Sequence, residues 1–581
     1  MQRNTRIASI VNKHGQTVTE RKSIVDVFAK FYEDLYARRT PTDYGAAVVD
    51  EDAQIVFTMA ELIDALKRMK NGKAQDDQGV VAEMIKHGSE ELWQLILDLF
   101  NDVLSPIMEP PDSWRHSRLV VLFKKDDPKL PKNYRPIAIL PILYKLFSNM
   151  FCHRLHELVM PSHPTEQAAY RKGFSTEDHL LAARLVIEAS REHNADLFLA
   201  LVDFEKAFDT VDHGALWRVL SAQGVPPAYT QILQKLYKQQ TAVVSTDSTS
   251  RQFDIQRGVK QGDPVSALLF VLVIDQCMRN LQNTWRTANS RRSGLPFGLH
   301  VDAGDTLTNL RFADDVLLFA SSRADIQKML THFKKEASKY GLKMHAGKTK
   351  VLTNCKLPPR LRSITINDEQ MPILEPTATE MYLGCKLCAA KPMDDELNHR
   401  LKAAWASFSK FKTELCDKRL GAKVRVKLFE AVVSPRALYG SAAWALTQQQ
   451  EQKLTTTRRR MLRMMFARRW LGEDSGEAWP DYMSSVTRHA ETLFQRFGGK
   501  DWILAHRIKK WRFAGKTARR NDNRWTYRLL NWTPCHGLGR KAGRPHTRWA
   551  DDLCKFAGSW TDVANDVDFW SALEVGFAEK L

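Results

Sequence analysis

The stretch LRFADDVLLFA, Leu310 to Ala320, sets two adjacent carboxylates, Asp314 and Asp315, inside an otherwise almost wholly apolar run. Burying one ionised carboxylate unpaired costs several kcal/mol, and two neighbours also repel each other. A sequence built only for packing avoids this. Asp tolerates turn geometry, so NLRF and VLLFA read as the arms of a hairpin with its tip at Ala313–Asp315. A third acid, Asp203, lies at the end of LFLALVDF (197–204), a continuous apolar run that reads as a buried central strand. Pairing of those strands would bring Asp203 beside Asp314 and Asp315.

Three converging carboxylates need divalent cations, and oxygen ligands favour magnesium or manganese. Two such ions about 4 Å apart suit in-line phosphoryl displacement. One would lower the pKa of a primer 3′-hydroxyl, and the other would neutralise charge on a triphosphate and its leaving pyrophosphate. Asp315 ranks behind the other two as a ligand, because adjacent strand residues face opposite sides. The plainer reading, an exposed turn with no further role, stays open at this point.

Composition narrows the partners. Lys and Arg exceed Asp and Glu by 86 to 67, a formal net charge of +19 over 581 residues. An excess of that size points to a polyanion: nucleic acid first, an anionic membrane second. The N-terminus, MQRNTRIASIVNKHGQ, is polar and basic, unlike a secretory signal. VSALLFVLVI (265–274) is too short to span a bilayer, so no membrane partner is expected. The eight cysteines are scattered, which suggests a reducing compartment. Cys385 and Cys388 form a CxxC without a second metal-binding pair and read as ordinary thiols.

Periodicity predicts helices at 142–159, 178–193, 213–223, 226–239, 265–282 and 323–340. Strand pairs are predicted at 242–257 and around 308–320, giving an α+β chain whose antiparallel sheet is flanked by helices. Past about residue 395 the chain reads as helical and very basic, with Arg458, Arg459, Arg460, Arg463, Arg468 and Arg469 in one short segment.

The segments LVDFEKAFDTVDH, QRGVKQGDPVSALLF, RFADDVLLFA, GLKMHAGKTK and YLGCKL occur in this order. They resemble the successive palm motifs of the reverse transcriptase of LINE-type non-LTR retrotransposons. Upstream, LVVLFKKDDPKLPKNYRPIAIL and EQAAYRKGFSTEDHL resemble that family's finger motifs. The resemblance spans about 55–390, and weakens through KVRVKLFEAVVSPRALYGSAAWALT. It implies a right-hand polymerase of fingers, palm and thumb, followed by a mostly helical basic extension. The implied partners are an RNA template, a DNA primer or target DNA, and deoxynucleoside triphosphates. The implied cofactors are two Mg2+, with Mn2+ as a possible substitute. The implied location is intracellular, nuclear and cytoplasmic, as a ribonucleoprotein.

The resemblance also assigns roles. Asp203, Asp314 and Asp315 would be the metal ligands, with the Phe204 carbonyl as a further oxygen. Phe208 would pack beneath the incoming sugar and exclude a ribose 2′-hydroxyl; by itself it reads as a core residue. Gln261 and Gly262 would lie against nucleotide and template, or make only a turn before a helix started by Asp263 and Pro264. Arg135, with Lys124 or Lys125, can clamp a triphosphate, Arg as a planar fork, or be solvated surface charge. Lys348 is a candidate to protonate or neutralise departing pyrophosphate. Tyr382, Leu383 and Gly384 resemble the hairpin that holds the primer end, or form a buried strand. Trp502, Trp511, Trp525, Trp532 and Trp549, interleaved with Lys and Arg, suit stacking on bases, or a helical core. The tripeptide GRP in AGRP (542–545) reads as a basic loop.

Departures from the family pattern are Gln75 and Asp76 for a Pro-Gly pair, Ala267 for Pro and His345 for Asn. The expected segments are an N-terminal helical extension (1–54), fingers and palm (55–390), a thumb-like helical region (391–470) and a basic Trp-rich region (471–581). No nuclease signature is read, so a piece of a longer reading frame, or a decayed or domesticated copy, is expected. Two other functions fit less well: an inactive nucleic-acid-binding protein, and a group II intron-like maturase.

Overall fold

The computed structural model describes residues 7–38, 55–287, 296–302, 305–390, 393–467, 478–534, 539 and 547–580. Arg468, Arg469 and the GRP tripeptide lie outside the described residues. Along the chain, the elements that carry the site or support it are α1 (Arg21–Tyr36), β1 (His116–Phe123), β2 (Tyr134–Ile139), α2 (Ile142–Val159), α3 (Thr176–Glu192) and β3 (Phe198–Val202). They continue with α4 (Ala207–Thr210), β4 (Gln240–Val244), β5 (Phe253–Ile255), α5 (Pro264–Thr287), β6 (Asn309–Phe312) and β7 (Asp315–Ala320). Last come β8 (Lys350–Thr353), β9 (Thr379–Tyr382), β10 (Cys385–Cys388) and α6 (Trp502–Ala518).

The chain folds into two compact units, each discontinuous in sequence. The first holds Met1–Tyr170, Asp203–Thr284 and Leu330–His345; the second holds Arg171–Val202, Trp285–Met329 and Ala346–Leu581. These units cut across linear boundaries at 54, 390 and 470, because pairing partners lie far apart along the chain.

In the first unit, β1 pairs antiparallel with β2 and parallel with β4, giving the sheet order β2-β1-β4-β5. The N-terminal segment contributes more than a helix: a short hairpin, Ile10–Val11 with Thr17–Val18, precedes α1. Ile24, Val25, Phe28, Ala29, Tyr32 and Tyr36 of α1 are buried at helical spacing. Helix α2 has no side-chain cap from its own N-cap residue, Pro141. Instead the Asp76 carboxylate accepts the Ile142 N–H at 2.9 Å. One of the departures from the family pattern thus closes a helix N-terminus, where an anion is favoured. Helix α5 is long and apolar enough to cross a membrane by length and composition, but 72% of its apolar window is buried inside the protein.

In the second unit the sheet order is β6-β7-β3-β8, antiparallel throughout. All five residues of β3 are buried, as its unbroken apolar run requires. Behind the sheet lies α3, and the same core takes in the C-terminal region. Here the Trp expectation needs correction. Trp502, Trp511, Trp525, Trp532 and Trp549 are all buried, none more than 9% exposed. Trp511 stacks on Trp570 at 3.7 Å between centroids, and Trp549 Nε1 donates to the Ala442 carbonyl at 2.8 Å. Trp502 joins a separate helical core with Phe408, Phe429 and Phe494. These rings are large apolar surfaces, and burial outweighs display to solvent, with the indole N–H of Trp502, Trp511, Trp532 and Trp549 bonded to Ser434, Trp570, His300 and Ala442. Many neighbouring cations are paired internally: Lys509 with Glu177, Lys510 with Asp552, Arg520 with Asp178 and Arg548 with Glu192.

Trp511→Ala is expected to destabilise the second unit by about 3–5 kcal/mol, read as a lower denaturation midpoint. A ring that serves mainly as a stacking platform would instead weaken nucleic-acid binding and leave the midpoint alone.

Candidate active site

Phe312 pairs with Asp315, which leaves Ala313 and Asp314 as a two-residue turn between β6 and β7. Ala313 takes the left-handed conformation, φ +55°. The hairpin tip lies where the sequence places it, but both acids are exposed rather than buried. Along β7 the register pairs Val316 with Val202. The residue before Val316 is Asp315, and the residue after Val202 is Asp203.

Past β3 the chain stays extended. Phe204 bridges to Met344; the His345 N–H donates to the Asp203 carbonyl at 2.8 Å and the Glu205 N–H to the Lys343 carbonyl at 2.9 Å. Those two bonds do not use the Phe204 carbonyl. Carboxylates and a backbone carbonyl are hard oxygen donors of the kind magnesium takes. Among the described residues, no three His, Cys, Asp or Glu side chains are gathered as a metal site.

Within the first unit a second group of expected residues is brought together. Phe208 on α4 is half-buried, its ring stacked on Phe270 at 4.3 Å. The Phe208 carbonyl accepts the Val259 N–H at 2.7 Å, which ties α4 to the loop that leads into α5. Farther along that loop, the Gln261 carbonyl accepts the Ala138 N–H of β2 at 2.8 Å. Gly262 has φ +116°, and a Cβ there would lie 2.8 Å from the Ala138 carbonyl oxygen. Only glycine fits so close to β2. Arg135 is exposed on the same strand, opposite Leu122. Lys124 and Lys125 are exposed beyond the end of β1, where the Lys124 N–H bonds the Asn133 carbonyl at 3.0 Å. Asp263 is buried and accepts from the Tyr144 hydroxyl at 2.9 Å and from Ser148. The helix-start reading of this loop therefore holds alongside any contact it makes with a ligand.

In the second unit, Lys348 is exposed in the turn before β8. Tyr382 pairs with Cys385, so Leu383 (φ +47°) and Gly384 (φ +75°) form the two-residue turn of the expected hairpin. The Tyr439 hydroxyl donates to the Leu383 carbonyl at 3.0 Å, and Arg400 donates to that of Gly384. The Tyr382 ring is buried, as in the strand reading, and its hydroxyl has no hydrogen-bond partner among the described residues. Burial, and then the charge of Asp315, push that phenol well above its ordinary range. Cys385 and Cys388 are buried thiols outside any disulfide among the described residues.

Sequence reasoning missed two residues. Asp209 is buried and accepts from the Tyr36 hydroxyl at 3.1 Å and from Gln261 Nε2 at 3.0 Å. Burial, opposed by Lys206 and the two hydrogen bonds, pushes its carboxyl up to about 6. The acid in KAFDTV was a readable signal, since it interrupts an apolar stretch. Tyr36 gave none, its partner being 173 residues away.

Residues 123–387 match the model of the reverse transcriptase (RNA-dependent DNA polymerase) family. This is a reverse transcriptase domain. The chain is 25% identical over 392 residues to a Pol polyprotein of the type-2 retrotransposable element R2DM of Drosophila melanogaster, covering 66% of this chain and 35% of that protein. It is 29% identical over 280 residues to a transposon-derived protein of Caenorhabditis elegans, covering 46% of this chain and 96% of that one. A type-1 R2 element polyprotein of Popillia japonica is 27% identical, with 57% of this chain and 44% of that protein covered. The chain thus spans less than half the length of the two R2 polyproteins. The matched segment contains every metal, nucleotide and primer residue named from the sequence, and the relatives named above are proteins of retrotransposable elements or derived from a transposon. Among solved structures, telomerase from Candida albicans in complex with a TWJ fragment of telomeric RNA superposes at a TM-score of 0.38 and 9% identity, over 69% of this chain and 71% of that one. That likeness is too loose to weigh.

Gly262→Ala is expected to cost about 1–3 kcal/mol from the backbone conformation alone, with a further loss from the contact with Ala138. Chemical denaturation reads it directly, and an unchanged midpoint would refute the close approach.

Proposed function

We propose that this chain copies RNA into DNA, adding deoxynucleotides to the 3′-end of a DNA primer or nicked target DNA and releasing pyrophosphate. The observation that carries the reading is the register of β3 on β7. Val202 faces Val316, so the acids that follow the one and precede the other come at the same end of two paired strands. Asp203, Asp314 and Asp315, with the Phe204 carbonyl, would hold two Mg2+, or Mn2+ in their place. Such ions activate a 3′-hydroxyl and neutralise charge on a leaving pyrophosphate. The protein's own groups do the rest. Phe208 would floor the sugar site, Gln261 and Gly262 would face the nucleotide, and Arg135 with Lys124 would hold the triphosphate. Lys348 would meet the pyrophosphate, and the turn at Tyr382–Gly384 would seat the primer end.

The net charge of +19 supports a nucleic-acid partner, and binding to it should weaken steeply with salt. In an intact element the reaction would be target-primed, with the protein carried on the element's RNA as a ribonucleoprotein of nucleus and cytoplasm.

Primer extension on an RNA template tests this, with magnesium and then manganese, beside the double variant Asp314→Ala, Asp315→Ala. The variant should lose about three orders of magnitude in rate or more and still bind primer–template, since both acids are exposed. Wild-type protein that binds but incorporates nothing with either metal would make this a binding protein without catalysis. Intron splicing by the purified protein would favour a maturase.

A further inference from the structure

The Asp209 carboxylate has no part in the reading above, yet three separate segments meet on it. Asp209 is 2% exposed. One oxygen, Oδ1, accepts both the Tyr36 hydroxyl and the Gln261 amide. Tyr36 is the last residue of α1 and is itself buried. The contact therefore joins the N-terminal helix, α4 and the loop before α5. Gln261 is held twice, through its backbone by Ala138 and through its side chain by Asp209. Because the amide is planar, donation through Nε2 turns Oε1 away from Asp209 and fixes the direction it faces. A group held this way before its ligand arrives needs less ordering on binding.

We propose that Asp209 and Tyr36 are positioning residues that lock the Gln261 amide in one orientation for the incoming deoxynucleotide, which makes α1 part of the nucleotide site. The inference rests on the polymerase reading and on Gln261 facing the nucleotide. The charged and titratable groups around Asp209 are Lys206 on its own segment, Tyr32 and Tyr36 on α1, and Arg135 on β2. The Lys206 ammonium is itself held 4.9 Å from the Phe31 ring and 5.6 Å from that of Tyr32. With its carboxyl pushed up to about 6, Asp209 is ionised at neutral pH and accepts both donors. As pH falls through that value it gains a proton, which competes with Tyr36 and Gln261 for its oxygens. The lock is thus present above about pH 6 and lost below it.

The test uses the full chain in primer extension, with KM for deoxynucleotide and kcat measured across pH for wild type, Tyr36→Phe, Asp209→Asn and Gln261→Ala. Wild-type KM should rise as pH falls through about 6. Tyr36→Phe removes one hydroxyl and one hydrogen bond that favours ionised Asp209. It should move that rise to higher pH and raise KM at neutral pH about 3–10-fold, with kcat changed less than about twofold. Asp209→Asn should give a raised KM that no longer follows pH through this range. Adding Tyr36→Phe to Gln261→Ala should raise KM no further, as expected for two residues acting through one contact. A Tyr36→Phe protein that melts earlier but keeps wild-type KM and pH profile would reduce the brace to a structural contact and overturn the inference. No extension by wild type would remove the polymerase reading, and this inference with it.

Discussion

The cost of placing a carboxylate in an apolar interior orders the centre of this structure. The five residues of β3 are buried on both faces and paired on both edges, so side-chain alternation alone does not select a register. Its end does. Slipping β3 by one position would draw Asp203 toward the core, and slipping β7 would do the same to Asp315, each at several kcal/mol. The acids act as stops, one following Val202 and the other preceding Val316, the residue with which Val202 pairs. The electrostatic penalty that made LRFADDVLLFA look improbable fixes the strand pairing on which the proposed chemistry depends.

A second consequence concerns the basic C-terminal region. Trp511, Trp549, Trp560 and Trp570 share one core cluster with α3 behind the sheet, and Trp502 joins a separate helical core. Several of the region's described lysines and arginines are paired internally, as in the buried Lys510 paired with Asp552. Charge counted along the chain therefore overstates what this region offers to a nucleic acid. It is part of the second unit's scaffold, and the matched reverse transcriptase segment ends before it begins.

Much of this was legible beforehand. Predicted helices at 142–159 and 213–223 match α2 (Ile142–Val159) and His213–Ala222, because their apolar spacing was clean and their ends were marked. The hairpin at Ala313 and the buried strand ending at Val202 were equally clear, since an acid or a turn residue bounds an apolar run. The tryptophans were less clear, because an aromatic ring among cations has the same sequence signature on a surface as in a core. Asp76 was read only as a departure from a pattern, and its role as the cap of α2 came from a contact across 66 residues.

The sequence by itself determined the ordered motifs, the strand ends at Asp203 and Asp315, and the excess of positive charge, since each is a local property of residue type and spacing. Tertiary structure alone decided that Asp314 and Asp315 stand exposed at a hairpin tip, that the tryptophans are core, and that Tyr36 reaches Asp209. Those outcomes depend on which distant segments compete for the same buried volume and the same hydrogen-bond acceptors, and periodicity along one chain does not record that competition.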